Sequence, residues 1–179
     1  MAEIGLQYGQ ALYSLAQQEH LEEEILRQLL VLRDSFQKEA DFSRLMQSAN
    51  LSKQEKCAIL EECFRDKVHL YVLNFLRILA NKDLFKVFPQ CVRAYSQAYD
   101  QAHNILEVVC TTAVELSREQ KQALTDKLRG QTGKEVRLVC RLDRSVLGGV
   151  RLDYDGIRVE DTVALRLDNI RHLLKNTVL

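Results

Sequence analysis

The stretch 135–163 constrains the fold of this chain most strongly, because its residue pattern specifies both strands and their pairing. Apolar and charged residues alternate over 136–143, and this period of two predicts a strand with one buried face. The alternation then resumes on both sides of Asp155-Gly156. Asp-Gly is a preferred pair for the two positive-φ positions of a type I′ turn, so these segments predict a tight β-hairpin.

The two-residue loop also predicts the register of the hairpin. The expected cross-strand pairs are Tyr154 with Ile157, Asp153 with Arg158, Leu152 with Val159, and Arg151 with Glu160. Apolar residues face apolar ones and each charge faces its opposite, and such pairs contribute about 0.2–1 kcal/mol each. A one-residue slip would turn Leu152 and Val159 towards water, so we expect both to be buried. Gly148-Gly149 lies where the chain turns into the first hairpin strand, and glycine tolerates positive φ there.

The periodicity of the chain changes near residue 104. Before this point apolar residues recur at helical spacing, and Ser52 with Glu55 forms a capping box at one helix start. After it, 105–112 alternates as a strand, and a helix that Gly130 ends is expected next. The sequence therefore predicts a mainly α protein, in which an N-terminal six-helix bundle (1–104) precedes a small α+β module (105–179). The expected order in that module is strand, helix, three strands, helix.

The last predicted helix starts at the end of the hairpin. Either Asp161 or Thr162 caps it, since both residue types accept hydrogen bonds from the first turn of a helix. Its apolar face consists of Val163, Leu167, Ile170 and Leu174.

Composition argues against several classes of protein. The 25 basic and 25 acidic residues balance, which indicates no general affinity for nucleic acid. The five cysteines form an odd set without C-x-x-C spacing and fall on apolar positions, so we expect buried free thiols rather than metal ligands. No segment reaches 18 uninterrupted apolar residues and the N-terminus lacks the features of a signal peptide, so we expect a soluble protein that is not exported.

Few residues are candidates for catalysis or metal binding. The histidines at 20, 69, 103 and 172 lie far apart in the sequence, without metal-ligand spacing. The acidic residues of the C-terminal stretch have structural interpretations: Asp153 pairs with Arg158, Asp155 forms the turn, and Asp161 caps a helix. We therefore expect no enzyme activity, no cofactor and no metal.

The C-terminal stretch combines a D-x-S-x-x-G-G pattern at 143–149, the Asp155-Gly156 turn, and the segment VEDTV at 159–163 before a leucine-rich end. This combination resembles the C-terminal segment of the delta subunit family of F-type ATP synthases, called oligomycin-sensitivity-conferring protein in mitochondria. Three N-terminal segments are also similar to that family, namely 8–16, 51–56 and 74–81. The departures are conservative: Thr162 replaces a frequent Ser, Ala49 a frequent Pro, and Lys82-Asp83 a turn that often contains Arg.

The resemblance implies a non-catalytic stator (peripheral-stalk) subunit, present once per complex at the cytoplasmic face of the cell membrane without inserting into it. An intact initiator Met favours a bacterial source. The helical part would bind the catalytic head, and a groove between the first and fifth helices would receive the N-terminal helix of an alpha subunit. The residues expected to line this groove are Tyr8, Ala11, Leu12, Leu15, Phe75, Ile78 and Leu79.

The C-terminal part would bind the b subunits of the peripheral stalk through Val163, Leu167, Ile170 and Leu174. The structural motif that supports this surface comprises Gly148, Gly149, Asp155, Gly156 and Asp161. The alternatives are a generic two-domain adaptor and an RNA-binding α+β protein. RNA binding is disfavoured because Tyr154 is the only aromatic residue in the predicted strands.

Overall fold

The computed structural model describes residues 2–48, 50–163 and 165. The chain is mainly helical, with a small sheet in its C-terminal part. It divides into two compact units, Met1–Tyr99 and Asp100–Leu179. The last residues of one helix belong to the second unit, where Asp100 pairs with Arg137 at 2.9 Å.

The first unit is built from helices. In the described residues they are α1 (Ala2–Gln18), α2 (Glu22–Lys38), α3 (Ala40–Gln47), α4 (Lys53–Phe64), α5 (Leu70–Asn81) and α6 (Phe88–Ala102), with a 3₁₀ turn (Phe85–Val87) before α6. The predicted capping box of α4 is confirmed, since Ser52 and Glu55 exchange side-chain to backbone hydrogen bonds of 3.2 and 2.8 Å. Pro89 is the second residue of α6, where its missing N–H costs no helical hydrogen bond.

Aromatic rings fill one end of the core of the helical unit. Phe36 of α2 stacks on Phe42 of α3, with ring centroids 5.1 Å apart. Its ring also contacts Phe64 edge-on and the rings of Phe85 and Phe88 at tilted angles. Pairs of this kind contribute about 0.5–1.5 kcal/mol beyond the area they bury. Phe36 thus joins its own helix α2 to four other segments of the unit in one hydrophobic core.

Two glycines let α1 approach α6 closely. A Cβ atom added at Gly5 would lie 2.6 Å from the Cβ of Gln90, and one added at Gly9 would lie 2.7 Å from the Cβ of Ala94. Real Cβ atoms do not come this close, so the two helix backbones are nearer than any side chain at these positions allows. This contact fixes which face of α1 turns inward.

A lysine of α4 is buried in the same unit. Only 3% of Lys56 is exposed, and its ammonium group donates a hydrogen bond of 3.0 Å to the carboxylate of Asp83. Asp83 follows α5 with φ 54°, a left-handed conformation that Asp and Asn tolerate better than most residues. The ion pair therefore ties α4 to the segment after α5.

The second unit contains a mixed sheet covered on one face by a helix. Its elements in the described residues are β1 (Ile105–Thr112), α7 (Arg118–Thr132), β2 (Glu135–Leu142), β3 (Gly149–Tyr154) and β4 (Ile157–Thr162). The strand order is β2-β1-β3-β4, and β1 pairs in parallel with β2 and antiparallel with β3. The first strand in sequence is thus an inner strand. The predicted final helix lies almost wholly outside the described residues.

The hairpin has the predicted register. All four predicted pairs between β3 and β4 are present, and Asp155 and Gly156 have φ values of 46° and 76°. Arg158 donates a hydrogen bond of 2.6 Å to Asp153, as the cross-strand charge pairing predicted. This bond raises the pKa of Arg158 above its usual value.

Two expectations about burial in the sheet were wrong. Leu152 is buried, but Val159 is 47% exposed, because it lies in the edge strand β4. Cys140 is likewise exposed near the end of the other edge strand, whereas Cys91 and Cys110 are buried as expected. All five cysteines are free thiols.

The predicted end of α7 was also misplaced. The helix continues through Gly130 to Thr132, and Gly133 is the C-cap with φ 67°. A left-handed glycine after the last turn is a common helix stop, and Gly133 meets this requirement while Gly130 does not.

Candidate partner-binding surfaces

The packing of α1 decides which of its predicted groove residues face outward. Gly5, Gly9 and Ala16 lie on the buried side. Ala11 and Leu15 are exposed, with Leu15 at 38%, and Tyr8 is half-buried. Since residues 8, 11 and 15 follow helical spacing, they form one accessible stripe along α1.

The groove residues predicted on α5 divide between core and surface. Phe75 and Leu79 are buried and belong to the same hydrophobic core as Leu12. Ile78 is 46% exposed. The accessible members of the predicted set are therefore Tyr8, Ala11, Leu15 and Ile78. We call these four residues the helical-unit surface.

In the second unit, the D-x-S pattern forms a turn. The carboxylate of Asp143 accepts hydrogen bonds from the backbone N–H of Ser145 at 2.9 Å and from its hydroxyl at 2.6 Å. Both bonds stabilise the charged form and hold the pKa of Asp143 below its usual value. This cap closes the 3₁₀ turn Arg144–Val146, and Leu147 then takes a positive φ of 61°. The residues of the D-x-S-x-x-G-G pattern thus redirect the chain from β2 towards β3.

The two glycines of the D-x-S-x-x-G-G pattern bring this turn against the end of β4. Gly149 has φ 84°, and a Cβ there would overlap the carbonyl oxygen of Asp161. The carbonyl of Gly148 accepts a hydrogen bond of 3.0 Å from the N–H of Val163. Leu147, Val163 and Leu165 are all exposed around this junction. We call these three residues the terminal patch.

The predicted b-subunit face can be placed only in part. Val163 lies in the terminal patch, while Leu167, Ile170 and Leu174 lie outside the described residues. Thr162, rather than Asp161, provides the cap, because its hydroxyl accepts a hydrogen bond of 3.2 Å from the N–H of Leu165. Asp161 lies in β4, where it is the register partner of Val150 of β3, so its assignment as a helix cap was wrong.

The acidic residues of the hairpin have structural partners. Asp153 lies between Arg158 and Arg151, and Asp155 accepts a hydrogen bond of 3.2 Å from Lys134. Among the described residues, no three His, Cys, Asp or Glu side chains come together as a metal site requires. Within the same residues, no helix is long and apolar enough to cross a bilayer.

Several structurally important residues were not found from the sequence. Tyr95 is buried and donates a hydrogen bond of 3.0 Å to the carbonyl of Glu22, while the ring of Tyr13 packs edge-on against it at 5.4 Å. Burial raises the pKa of both phenols. The signal that could have indicated the close contact of α1 is the pair Gly5 and Gly9, one turn apart on one helix face.

Comparisons with known proteins cover both units. The family model for the ATP synthase delta (OSCP) subunit matches residues 4–174. The chain belongs to the ATP synthase delta (OSCP) subunit family. It is 30% identical over 173 residues to ATP synthase subunit delta of Desulfitobacterium hafniense (strain DSM 10664 / DCB-2), covering 97% of each chain. It is 27% identical over 176 residues to the same subunit of Clostridioides difficile (strain 630), covering 98% of this chain and 97% of the relative.

A solved structure supports the fold of this delta-family chain. A chain in the cryo-EM structure of the Toxoplasma gondii mitochondrial ATP synthase hexamer aligns with a TM-score of 0.71 and 22% identity, covering 95% of this chain and 96% of that one. Membership in a family of ATP synthase subunits supports the stator role predicted from the sequence.

Proposed function

We propose that this chain is the non-catalytic stator subunit of an F-type ATP synthase, which links the catalytic head to the b subunits of the peripheral stalk. The observation that carries the proposal is the family match over 4–174, which covers both compact units. The relatives in Desulfitobacterium and Clostridioides support a bacterial enzyme. In this proposal the subunit lies at the cytoplasmic face of the membrane, with one copy in each complex.

In this proposal the two parts of the chain have different partners. The helices of residues 1–104 act as one six-helix bundle that sits on the catalytic head, and residues 105–179 bind the b subunits. The boundary at 104–105 follows the change from helical to strand periodicity. A protein that connects two partners needs two separate surfaces, and the helical-unit surface and the terminal patch lie in different units.

The helical-unit surface receives the amphipathic N-terminal helix of an alpha subunit. Leu15 and Ile78 offer accessible apolar side chains, and Ala11 lets a guest backbone approach because its side chain is a single methyl group. Leu12, Phe75 and Leu79 support the surface from the core below it.

A substitution at Ala11 tests this assignment. Ala11→Trp should weaken binding of a synthetic peptide of the alpha-subunit N-terminal helix at least tenfold in calorimetry, a loss of about 1.4 kcal/mol. The helical circular dichroism should stay unchanged because Ala11 is exposed. Val31→Trp on α2, at another exposed apolar residue, is the matched control and should bind normally. Normal binding by Ala11→Trp would remove this surface from the interface.

A further inference from the structure

Two cysteines of the second unit are neighbours in the sheet. Cys110 of β1 and Cys140 of β2 are register partners in the parallel pair. Register partners on adjacent strands project from the same face, and adjacent strands lie about 4.8 Å apart. Disulfides span Cα separations of about 4.4–6.8 Å, so the backbone already places these residues within bonding range.

The two thiols differ in access to solvent. Cys110 is 0% exposed, whereas Cys140 is exposed near the end of an edge strand. Burial raises the pKa of Cys110, and the nearby Cys140 raises it further. The second effect arises only when the two groups are close. An exposed thiol beside a buried one fits an order of reaction in which Cys140 reacts with a solution oxidant first.

We propose that Cys110 and Cys140 form a reversible disulfide when the protein meets a low-molecular-weight disulfide. The Cys140 thiolate attacks one sulfur of the oxidant and forms a mixed disulfide, which releases one thiolate of the oxidant. The Cys110 thiolate then attacks the Cys140 sulfur and displaces the second. The protons of the two cysteines end on the released thiols, so two protein thiols are oxidised and one disulfide is reduced to two thiols.

This disulfide would act as a clamp on the sheet. It joins the inner strand β1 to the edge strand β2 and closes a loop of about 30 residues that contains α7, so it restricts the unfolded chain more than the folded one. The exposure of Cys140 leaves the bond open to thiol reductants, which makes the clamp reversible.

The remaining cysteines provide internal controls. Cys57 and Cys63 of α4 are half-buried and Cys91 of α6 is buried, and all three belong to the first unit. The pairing Cys110–Cys140 is therefore specific to the second unit and distinguishable by peptide mapping.

The test uses the full chain and oxidised glutathione. Intact mass should fall by about 2 Da, the mass of the two hydrogens lost, and a non-reducing peptide map should link the peptides of Cys110 and Cys140. Dithiothreitol should restore the original mass. Cys140→Ser, at an exposed site that should not disturb folding, should abolish the link, whereas Cys63→Ser should leave it unchanged.

Thermal unfolding tests the clamp itself. Oxidised wild-type protein should melt at a higher temperature than reduced protein, and Cys140→Ser should show no such shift. Four outcomes would overturn the proposal: an unchanged mass, a stable glutathione adduct on Cys140 without a link to Cys110, a link that involves Cys57 or Cys63, or a Cys110–Cys140 link that leaves the melting temperature unchanged.

Discussion

At the scale of single residues, packing sets the strictest requirements in the helical unit. Gly9 faces the carbonyl oxygen of Cys91 and the Cβ of Ala94, so both the backbone and a short side chain of α6 occupy the space that a larger residue would need. Neither group can turn aside as the end of a long side chain could. Gly130 of α7 is the opposite case, since a Cβ there would meet nothing within 4 Å.

We therefore expect the same substitution to have opposite effects at these two glycines. Gly9→Ala should lower the free energy of unfolding by roughly 1–3 kcal/mol, because overpacking shifts α1 from α6. Gly130→Ala should raise it by about 0.5–1 kcal/mol through helix propensity alone. Urea denaturation followed by circular dichroism measures both. Equal or increased stability of Gly9→Ala would contradict the close contact.

The ion pair of Lys56 gives a second residue-scale prediction. Asp83→Asn should destabilise the fold more than Lys56→Met, because the first leaves a buried ammonium group without its carboxylate and the second removes the charge. Asn also tolerates the positive φ at position 83, so backbone strain does not confound the comparison.

The pH dependence of this pair has a defined sign. The hydrogen bond from Lys56 holds the pKa of Asp83 below its usual value, so its contribution to stability is present at neutral pH and is lost as the pH falls below about 4. The urea midpoints of wild type and Asp83→Asn should therefore differ at pH 7 and become similar at pH 3. An equal difference between the two midpoints at both pH values would show that the charged carboxylate of Asp83 is not the source of the stabilisation.

At the scale of elements, local patterns were predictable and long-range ones were not. The β3–β4 register follows from a two-residue loop and complementary neighbours, and all four predicted pairs are present. The position of β1 inside the sheet depends on pairing with β2 and β3, which are distant in sequence and leave no local pattern. For the same reason Val159 was predicted to be buried although its strand is at the edge.

The candidate surface shows the same limit. Helix α5 is apolar on nearly all sides, so periodicity could not separate the buried Phe75 and Leu79 from the exposed Ile78. The close approach of α1 to α6 depends on backbone distance, for which two glycines are only a weak sequence signal. The sequence alone could not distinguish Asp161 from Thr162 as the cap, because both residue types cap helices, and the hydrogen bond from Leu165 to Thr162 decides between them.

The hairpin gives a prediction at this scale, since one positive-φ glycine begins β3 and another lies in the turn that follows this strand. Gly156→Ala should cost about 1–2 kcal/mol from the left-handed backbone alone, because its added Cβ meets nothing within 4 Å. Gly149→Ala should cost more, since its Cβ also overlaps the carbonyl oxygen of Asp161. Thermal unfolding of both variants checks the order, and a smaller loss for Gly149→Ala would show that the junction is not tightly packed.

At the scale of the whole molecule, the proposed stator must hold the head against the torque of the rotor, whereas ATP hydrolysis by the head requires neither of its interfaces. Removing residues 166–179 keeps β4 and the Thr162 cap but deletes three of the four predicted b-subunit contacts. The truncated protein should still bind the catalytic head. It should fail to support proton-driven ATP synthesis in reconstituted membranes, while ATPase activity of the head continues.

Two measurements on the same vesicles check this prediction. ATP synthesis at the normal rate with the truncated chain would place the stalk connection elsewhere. Loss of head ATPase activity would contradict a purely mechanical role. Full-length Gly130→Ala, altered at a site far in sequence from the deleted segment, serves as the variant control and should couple normally.

The sheet order also has a consequence for how this chain folds during its synthesis on the ribosome. Strand β1 is synthesised first, but both strands that flank it come later, beginning at Glu135 and Gly149. Its apolar residues Leu106, Val108 and Cys110 therefore emerge with no strand to pair with. Non-local pairing of this kind is slow and exposed to aggregation. The C-terminal unit thus completes its core only after the hairpin has been synthesised and β3 has paired with β1.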